Sequence, residues 1–146
     1  MKLREKKLLG AGTLIMFVKA MQRPQKFLVS SCGFVAPKSF LPENRESYEN
    51  VKFTSSLKEA TKDSDIVTTD VWISMGDESE STKRKDAFSS YQVNEKVLDE
   101  ASSDVIFLHC LPAKRGQEIS ENLLNDPRSR VWNQAENRLH AQKVFF

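Results

Sequence analysis

Short apolar or β-branched stretches alternate with helix-forming stretches along this 146-residue chain, and no other feature constrains the fold as much. Each apolar stretch has the length of one strand, and each intervening stretch has room for a helix. Parallel neighbouring strands need a long crossover connection, which is usually a helix. The sequence therefore predicts an α/β fold, a three-layer sandwich with a parallel sheet, Rossmann-like in type.

Several stretches carry the strand prediction. Ile66–Thr69 is β-branched throughout, and Val105–Leu108 is wholly apolar, which is typical of a central strand buried on both faces. The other predicted strands are Phe27–Val29 and Phe34–Val35, either as one strand or as a strand and its exit, Val51–Thr54 as a short edge strand, and Arg130–Trp132 as the last strand.

Capping residues between these stretches predict helix starts. Ser56 and Glu59 form a capping box, in which the serine hydroxyl accepts from a free backbone amide and the glutamate reaches back. Asn94 can cap a helix in the same way. Two further helices are predicted, Glu121–Leu124 with Ser120 as its cap, and residues 135–146.

The segment Glu78–Ser90 is almost wholly polar and follows Gly76, which can break a helix. Within it, Glu80 and Arg84 stand four residues apart, the spacing of a helical ion pair. Two interpretations follow, a solvated helix and a hinged loop that closes over a ligand. Both predict that this segment buries little surface.

Composition excludes several classes of function. Twenty-two Lys and Arg against 20 Asp and Glu leave a formal charge of +2, which argues against a basic nucleic-acid-binding protein. Cys32 and Cys110 are too few for a disulfide scaffold and form no Cys-x-x-Cys zinc motif. No apolar run approaches the roughly 18 residues of a membrane span. Gly10–Thr13 lacks the third glycine of a dinucleotide-binding turn, and a P-loop motif is absent.

The first 40 residues differ in charge from the rest, with eight basic residues and one acidic residue. A basic start with so few acidic residues can be an organelle-targeting segment, a solvated surface or a divergent beginning of the domain. We expect residues 1–30 to be a divergent or partly degenerate start.

Polar clusters follow two of the predicted strands, and ligands of parallel sheets bind beyond the carboxyl ends of strands. Asp70 follows Ile66–Thr69, and His109 and Cys110 follow Val105–Leu108. Neighbours on an extended strand point to opposite faces, so His109 and Cys110 are poorly placed to act as a base and its nucleophile. We interpret His109 as a hydrogen-bonded structural residue. Cys110 is either a buried structural cysteine or a thiol that faces a ligand.

Four motifs give a more specific interpretation. They are Asp-Val-Trp-Ile-Ser-Met-Gly at 70–76, Tyr-Gln-Val-Asn at 91–94, His-Cys-Leu-Pro at 109–112 and Ala-Glu-Asn-Arg-Leu-His-Ala-Gln at 135–142. In order and spacing they closely resemble ornithine carbamoyltransferases, densely from about Pro37 to Lys143. Aspartate carbamoyltransferases are similar, but they carry proline at the position of Cys110 and lack the Ser-Met-Gly loop. The resemblance assigns residues 31–146 to an amino-acid-binding domain of the aspartate/ornithine carbamoyltransferase type.

This resemblance implies a reaction that needs no metal and no cofactor. The δ-amine of ornithine attacks carbamoyl phosphate to give citrulline and phosphate, a transferase reaction of arginine biosynthesis and the urea cycle. A carboxylate and a polarizable thiolate suit an ammonium group that must lose a proton, and arginine suits a phosphate oxygen. The site residues that the resemblance implies are Asp70, Ser74 and Met75 for the amino acid, Cys110 with Asp70 as the catalytic pair near the amine, and the Leu111 carbonyl with Arg138 toward carbamoyl phosphate.

The sequence also departs from the family pattern. The Ser-x-Arg-Thr phosphate loop and the His-x-x-Gln segment of the family's preceding domain do not occur in these residues. The family's Gly-Asp-Gly-Asn-Asn run would fall near Gly10–Thr13, where Ala11 and Thr13 replace the acid and the first asparagine. We therefore expect an ornithine-binding half with little activity alone, and whether the chain by itself is an enzyme stays open.

The expected partners are ornithine and carbamoyl phosphate, without nucleic acid or membrane, and the expected location is the cytoplasm, with the mitochondrial matrix as the alternative. The family is homotrimeric, and a monomer is the alternative for this chain. Two other functions stay open, a non-catalytic amino-acid-binding or regulatory module and a structural domain with degenerate sites. Relatives specific for putrescine or acetylornithine share the His-Cys-Leu-Pro motif, so the reaction class is predicted more firmly than the substrate.

Overall fold

The structure is a computed structural model that describes residues 15–23, 26–43, 45–47, 51–73 and 78–143. Short 3-10 turns at Lys38–Phe40, Arg45–Ser47, Glu78–Glu80, Ser89–Tyr91 and Leu123–Asn125 connect its longer elements. Those elements are β1 (Ile15–Arg23), β2 (Lys26–Val35), β3 (Val51–Thr54), α1 (Leu57–Thr61), β4 (Ile66–Thr69), α2 (Ser81–Phe88), α3 (Glu95–Asp99), β5 (Ile106–His109) and α4 (Val131–Lys143).

The five strands form one sheet in the order β3-β2-β1-β4-β5. The β2–β3 and β4–β5 pairs are parallel, whereas β1 runs antiparallel to both β2 and β4. This is the predicted α/β, Rossmann-like class with one strand reversed. The reason is the connection: β1 ends at Arg23 and β2 begins at Lys26, which leaves no room for the crossover that parallel neighbours need.

Three strand predictions agree with the structure, the first being Ile66–Thr69, which is β4. The two apolar stretches near residues 27–35 belong to a single strand, β2, and Val51–Thr54 is the edge strand β3. Phe34 and Phe53 are register partners on these strands, and their rings stack with centroids 5.6 Å apart. This aromatic pair supports the parallel edge of the sheet.

Two strand predictions are wrong in placement. Val105–Leu108 contributes to β5, which ends the sheet order and is not a central strand. The predicted last strand, Arg130–Trp132, is reduced to a single bridge between Ser129 and Phe107, and α4 already begins at Val131. Val131 is fully buried as the first residue of that helix. Its apolar character therefore reflects helix packing.

The main core lies between the sheet and helices α1 and α3. Val67 of β4 and Phe107 of β5 are fully buried, and Leu57 of α1 and Leu98 of α3 pack in the same cluster. Residues next to Val67 and Phe107 in each strand are only half-buried, so burial alternates with the period of two expected for a strand. Within the described ranges, no helix has the length and apolar character that a membrane crossing requires.

Two of the predicted caps form. Asn94 Oδ1 accepts from the Val97 amide at 3.1 Å, and Ser56 Oγ accepts from the Glu59 amide at 3.2 Å. The reciprocal half of the capping box runs through Thr54, whose hydroxyl donates to Glu59 Oε2 and accepts from the Ser56 amide. The predicted Ser120 cap does not form. Its hydroxyl donates to the Glu95 carboxylate instead, and the following residues form only the 3-10 turn Leu123–Asn125.

The Asn94 cap permits a direct measurement. Asn94→Ala is expected to lower the free energy of unfolding by about 1 kcal/mol, because the Val97 amide loses its acceptor. Asn94→Asp, which keeps an acceptor oxygen, is the matched control and should stay close to the parent chain in urea unfolding. Equal stability of the alanine and aspartate variants would contradict a role for this cap.

The polar segment after Gly76 is a helix, but it buries more than the sequence predicts. Glu80 and Arg84 form the expected pair, with Nε and Oε2 3.7 Å apart. Arg84 is buried and lies over the Phe40 ring, 5.6 Å from its centroid. Phe88 is fully buried against Phe40 and Trp72. The prediction of little burial holds for most of the segment and fails at Arg84 and Phe88, because one face of α2 closes a small aromatic cluster.

Candidate functional site

The register of β4 and β5 brings two of the predicted site residues together. Thr69 and His109 are partners at the ends of these parallel strands. Asp70 and Cys110 therefore leave the sheet side by side, at the carboxyl edge where ligands of such sheets bind. This placement agrees with the prediction that the two side chains meet at one edge.

The groups at this edge of the sheet change the pKa of the Cys110 thiol. The Cys110 residue is exposed, yet desolvation of its sulfur, followed by the effects of the neighbouring Asp70 carboxylate as acceptor and as charge, raises the pKa of Cys110 from 9.0 to about 11, whereas the charge of Arg138 lowers it. Asp70 is half-buried, and its Oδ1 also accepts from the Val71 amide at 2.8 Å. This raised pKa favours the protonated thiol of Cys110 at neutral pH, beside Asp70. Desolvation and, after it, the neighbouring carboxylate therefore disfavour the thiolate that the sequence analysis expects.

Helix α4 faces the ends of these strands across a pocket of about 460 Å³. Gln134, Arg138 and Gln142 are spaced by four residues, so they lie on one face of the helix. Arg138 is the one cation among the residues that line this pocket. The pocket is lined by His109, Cys110, Leu111, Pro112, Gln134, Ala135, Arg138, Leu139 and Gln142.

A tight turn follows β5 and forms one wall of this pocket. Leu111 has a φ of +51°, which is uncommon for a residue with a bulky side chain. Its peptide bond to Pro112 is cis. The Leu111 amide donates to Nδ1 of His109 at 3.0 Å. The turn is therefore held from inside by a side chain of the strand that precedes it.

His109 is a structural residue, in agreement with the sequence interpretation. It is 1% exposed, and its Nε2 lies 3.5 Å from Oε1 of Glu118, which is 0% exposed. The same Glu118 oxygen accepts from the Lys114 amide. Sequence reasoning did not find Glu118, since a single glutamate in a loop carries no pattern of its own. Its contact with His109 exists only in the folded chain.

The predicted amino-acid ligands Ser74 and Met75 lie outside the described residues, as do residues 10–13. The expected divergent start, residues 1–30, also falls partly outside them. In the parts of the chain that the structure describes, no three His, Cys, Asp or Glu side chains are grouped so that they could hold a metal ion.

The charges at this edge predict opposite effects on thiol reactivity. Asp70→Asn should lower the pKa of Cys110, although burial, the largest cause of its elevation, remains in the variant. A pKa lower by about one gives about ten times more thiolate, and the lower nucleophilicity of that thiolate leaves a gain of about threefold in alkylation rate at pH 8.5. Arg138→Gln should slow the same reaction.

Iodoacetamide labelling followed by peptide mass spectrometry measures these rates. Cys32, on β2, is the internal reference, because β1 separates its strand from the strands of the pocket. Unchanged labelling of Cys110 in both variants, or changes in the same direction, would contradict the assigned charges.

Taken as a class, an α/β domain whose parallel strands end at a pocket lined by a thiol and an arginine, with a carboxylate beside the thiol, is a Rossmann-like ligand-binding domain. A family model described as aspartate/ornithine carbamoyltransferase, Asp/Orn binding domain, matches residues 17–146. The chain belongs to the aspartate/ornithine carbamoyltransferase family, of which these residues form the Asp/Orn-binding domain.

Individual relatives agree with this assignment. The chain is 59% identical over 94 residues to an ornithine carbamoyltransferase of Psychrobacter cryohalolentis, covering 64% of the chain and 31% of that relative. A Pyrococcus furiosus ornithine carbamoyltransferase structure is 45% identical with a TM-score of 0.60, covering 66% of the chain and 31% of that structure. A Burkholderia thailandensis structure of the same description is 36% identical with a TM-score of 0.64, at 77% and 36% coverage. The chain thus spans about a third of the length of these relatives.

Proposed function

We propose that the pocket between β5 and α4 binds ornithine and presents its δ-amine for carbamoyl transfer, with little turnover by this chain alone. The observation that carries the proposal is the meeting of Asp70, Cys110 and Arg138 at one edge of the sheet. The names of the relatives supply the substrate, and the chemistry of the three side chains fits it.

The carboxylate of Asp70 is suited to the amine end of the substrate. It attracts the δ-ammonium group, and it is the base that we assign to take the proton which the nitrogen must lose before it attacks. Cys110 lies beside Asp70 as a neutral thiol and adds no second negative charge near the carboxylate. Cys110 acts by position and Asp70 as the base, and no covalent bond to the enzyme forms in this proposal.

The guanidinium of Arg138 is suited to the phosphate end. In the proposed step the amine nitrogen forms a bond to the carbonyl carbon of carbamoyl phosphate, and the bond from that carbon to the phosphate oxygen breaks. The electron pair leaves with phosphate, and an arginine that donates to its oxygens stabilises the growing charge. The products are citrulline and inorganic phosphate.

Isothermal titration with ornithine tests the binding half of this proposal. We expect a heat of binding that Asp70→Asn reduces or abolishes, because the ammonium loses its counter-charge. Asp104→Asn is the matched control, since Asp104 is exposed and lies at the opposite end of β5. Titrations with putrescine and N-acetylornithine distinguish the substrate. Absence of ornithine binding, or equal binding by both variants, would refute an ornithine site at Asp70.

A second candidate is a non-catalytic amino-acid-binding or regulatory module. It is favoured by the single cation of the described pocket, because one cation binds a doubly charged acyl phosphate only weakly. Ornithine binding without any citrulline, even when carbamoyl phosphate is saturating, is common to both candidates. Turnover on addition of a separately expressed carbamoyl-phosphate-binding domain would favour the transferase half. We keep a cytoplasmic location in this proposal, and sedimentation analysis decides between a monomer and a trimer.

A further inference from the structure

We infer that Gln134 is a positioning residue, which sets Arg138 relative to Cys110 by tying the start of α4 to the end of β5. The tie is one hydrogen bond across 25 residues of sequence: Oε1 of Gln134 accepts from the His109 amide at 3.0 Å. His109 is buried, so its amide needs a partner within the protein. Gln134 supplies it at the point where the strand gives way to Cys110.

Helix α4 has few other attachments in the described structure. Val131 is buried and Gln134 is half-buried, whereas each of the other α4 residues is exposed, including Trp132 at 59% and Leu139 at 51%. Such a helix is located mainly by its first turn. A side chain in that turn that bonds to the strand therefore has a large influence on where the rest of the helix lies.

Gln134 and Arg138 stand one helical turn apart on the same face, and both line the pocket with Cys110. Four residues of helix rise about 6 Å, so fixing Gln134 on the His109 amide fixes the origin of the Arg138 side chain. The charge of Arg138 reaches the Cys110 sulfur, where it opposes the effect of Asp70. Loss of this hydrogen bond should therefore weaken the effect by which Arg138 lowers the pKa of Cys110.

Glutamine fits this position better than the side chains that most resemble it. Methionine has the same length but offers no oxygen acceptor, and asparagine is one methylene shorter. Glutamate keeps the acceptor but adds a negative charge beside Cys110. Substitution by methionine, asparagine or glutamate therefore tests separately the hydrogen-bond acceptor, the length of the side chain and an added negative charge.

A double-mutant cycle on thiol alkylation tests the inference. Cys110 labelling by iodoacetamide at pH 8.5 is measured in the parent chain, Gln134→Met, Arg138→Gln and the double variant. We expect Gln134→Met to slow labelling in the same direction as Arg138→Gln, by about twofold, and to have no effect when Arg138 is already replaced. Equal slowing in both backgrounds, no slowing, or acceleration by Gln134→Met would overturn the inference, since Gln134 would then not act through Arg138.

Hydrogen exchange at the His109 amide reports on this hydrogen bond directly, and Gln134→Glu is the conservative variant that should retain it. Protection is expected to fall in Gln134→Met and to persist in Gln134→Glu, which retains the acceptor. Protection of the Phe107 amide, which donates to the Arg128 carbonyl at 3.0 Å, reports whether the end of the sheet is intact. If Gln134→Met does not fold by that criterion, Gln134→Asn takes its place in the cycle. Unchanged His109 protection in a folded Met or Asn variant would overturn the tie itself.

The relevance of this tie to carbamoyl transfer rests on the proposed function, but the test does not. The alkylation cycle needs no ornithine and no turnover. A positive cycle without ornithine binding would refute the proposed function and leave the positioning role of Gln134 intact. Ornithine binding together with additive effects in the cycle would support the proposed function and refute the positioning role of Gln134.

Discussion

Purified alone, the 146-residue chain is expected to form no measurable citrulline from ornithine and carbamoyl phosphate. Carbamoyl phosphate carries about two negative charges, and an enzyme must hold it with several converging donors before an amine can attack. Arg138 is the one cation that lines the described pocket. Removal of one preorganised donor typically costs about 10²–10³ in rate, so a site with a single clamp should be slower by far more.

The assay is citrulline formation at saturating concentrations of both substrates, with Cys110→Ala and Arg138→Gln as controls. A trace signal that persists unchanged in both variants would be a contaminant and would agree with the prediction. Turnover that the parent chain shows and both variants lose would contradict it, since this pocket would then be sufficient for the reaction.

His109→Leu is expected to destabilise the chain by about 3–5 kcal/mol, the largest effect that we anticipate for a single substitution. The variant leaves the Glu118 carboxylate buried without the imidazole that lies 3.5 Å from it. It also removes the Nδ1 acceptor of the Leu111 amide, in a turn where φ is already unfavourable for leucine. Urea unfolding measures the change in free energy.

The double variant His109→Leu with Glu118→Leu is the sharper test. Replacing both partners of a buried polar pair by apolar groups removes the unpaired polar group, so the double variant should be more stable than His109→Leu alone. Glu118→Gln, which keeps the shape and one acceptor, should cost about 1–2 kcal/mol. A double variant whose cost equals the sum of the two leucine substitutions would show that His109 and Glu118 are independent.

Local chemistry determined much of what could be predicted from the sequence. Ile66–Thr69 is a strand and Asn94 is a cap because each depends on residues within a few positions along the chain. The order of the four motifs likewise determined the family, and the parallel strand pair then brought Asp70 and Cys110 to the same edge. The roles of these residues, and those of Ser74 and Met75, remain predictions.

Burial was predicted less well where it depends on distant partners. Arg84 and Phe88 lie in a segment that reads as polar, yet both are buried against Phe40, which is more than 40 residues earlier in the chain. Hydrophobic patterning within the segment carries no signal for such a contact. A contact between a cation and an aromatic ring forms only when the tertiary fold brings the two groups together.

The sequence alone determined the fold class, the family and the candidate residues, because these follow from local propensity and motif order. Only the tertiary structure decided the reversed direction of β1, the terminal position of β5 and the raised pKa of Cys110. The same holds for the contacts of His109 with Glu118 and with Gln134, a residue whose spacing of four from Arg138 could have been noticed but whose partner could not. Each of these depends on which atoms become neighbours across the fold, and on the charge and solvent that surround them there.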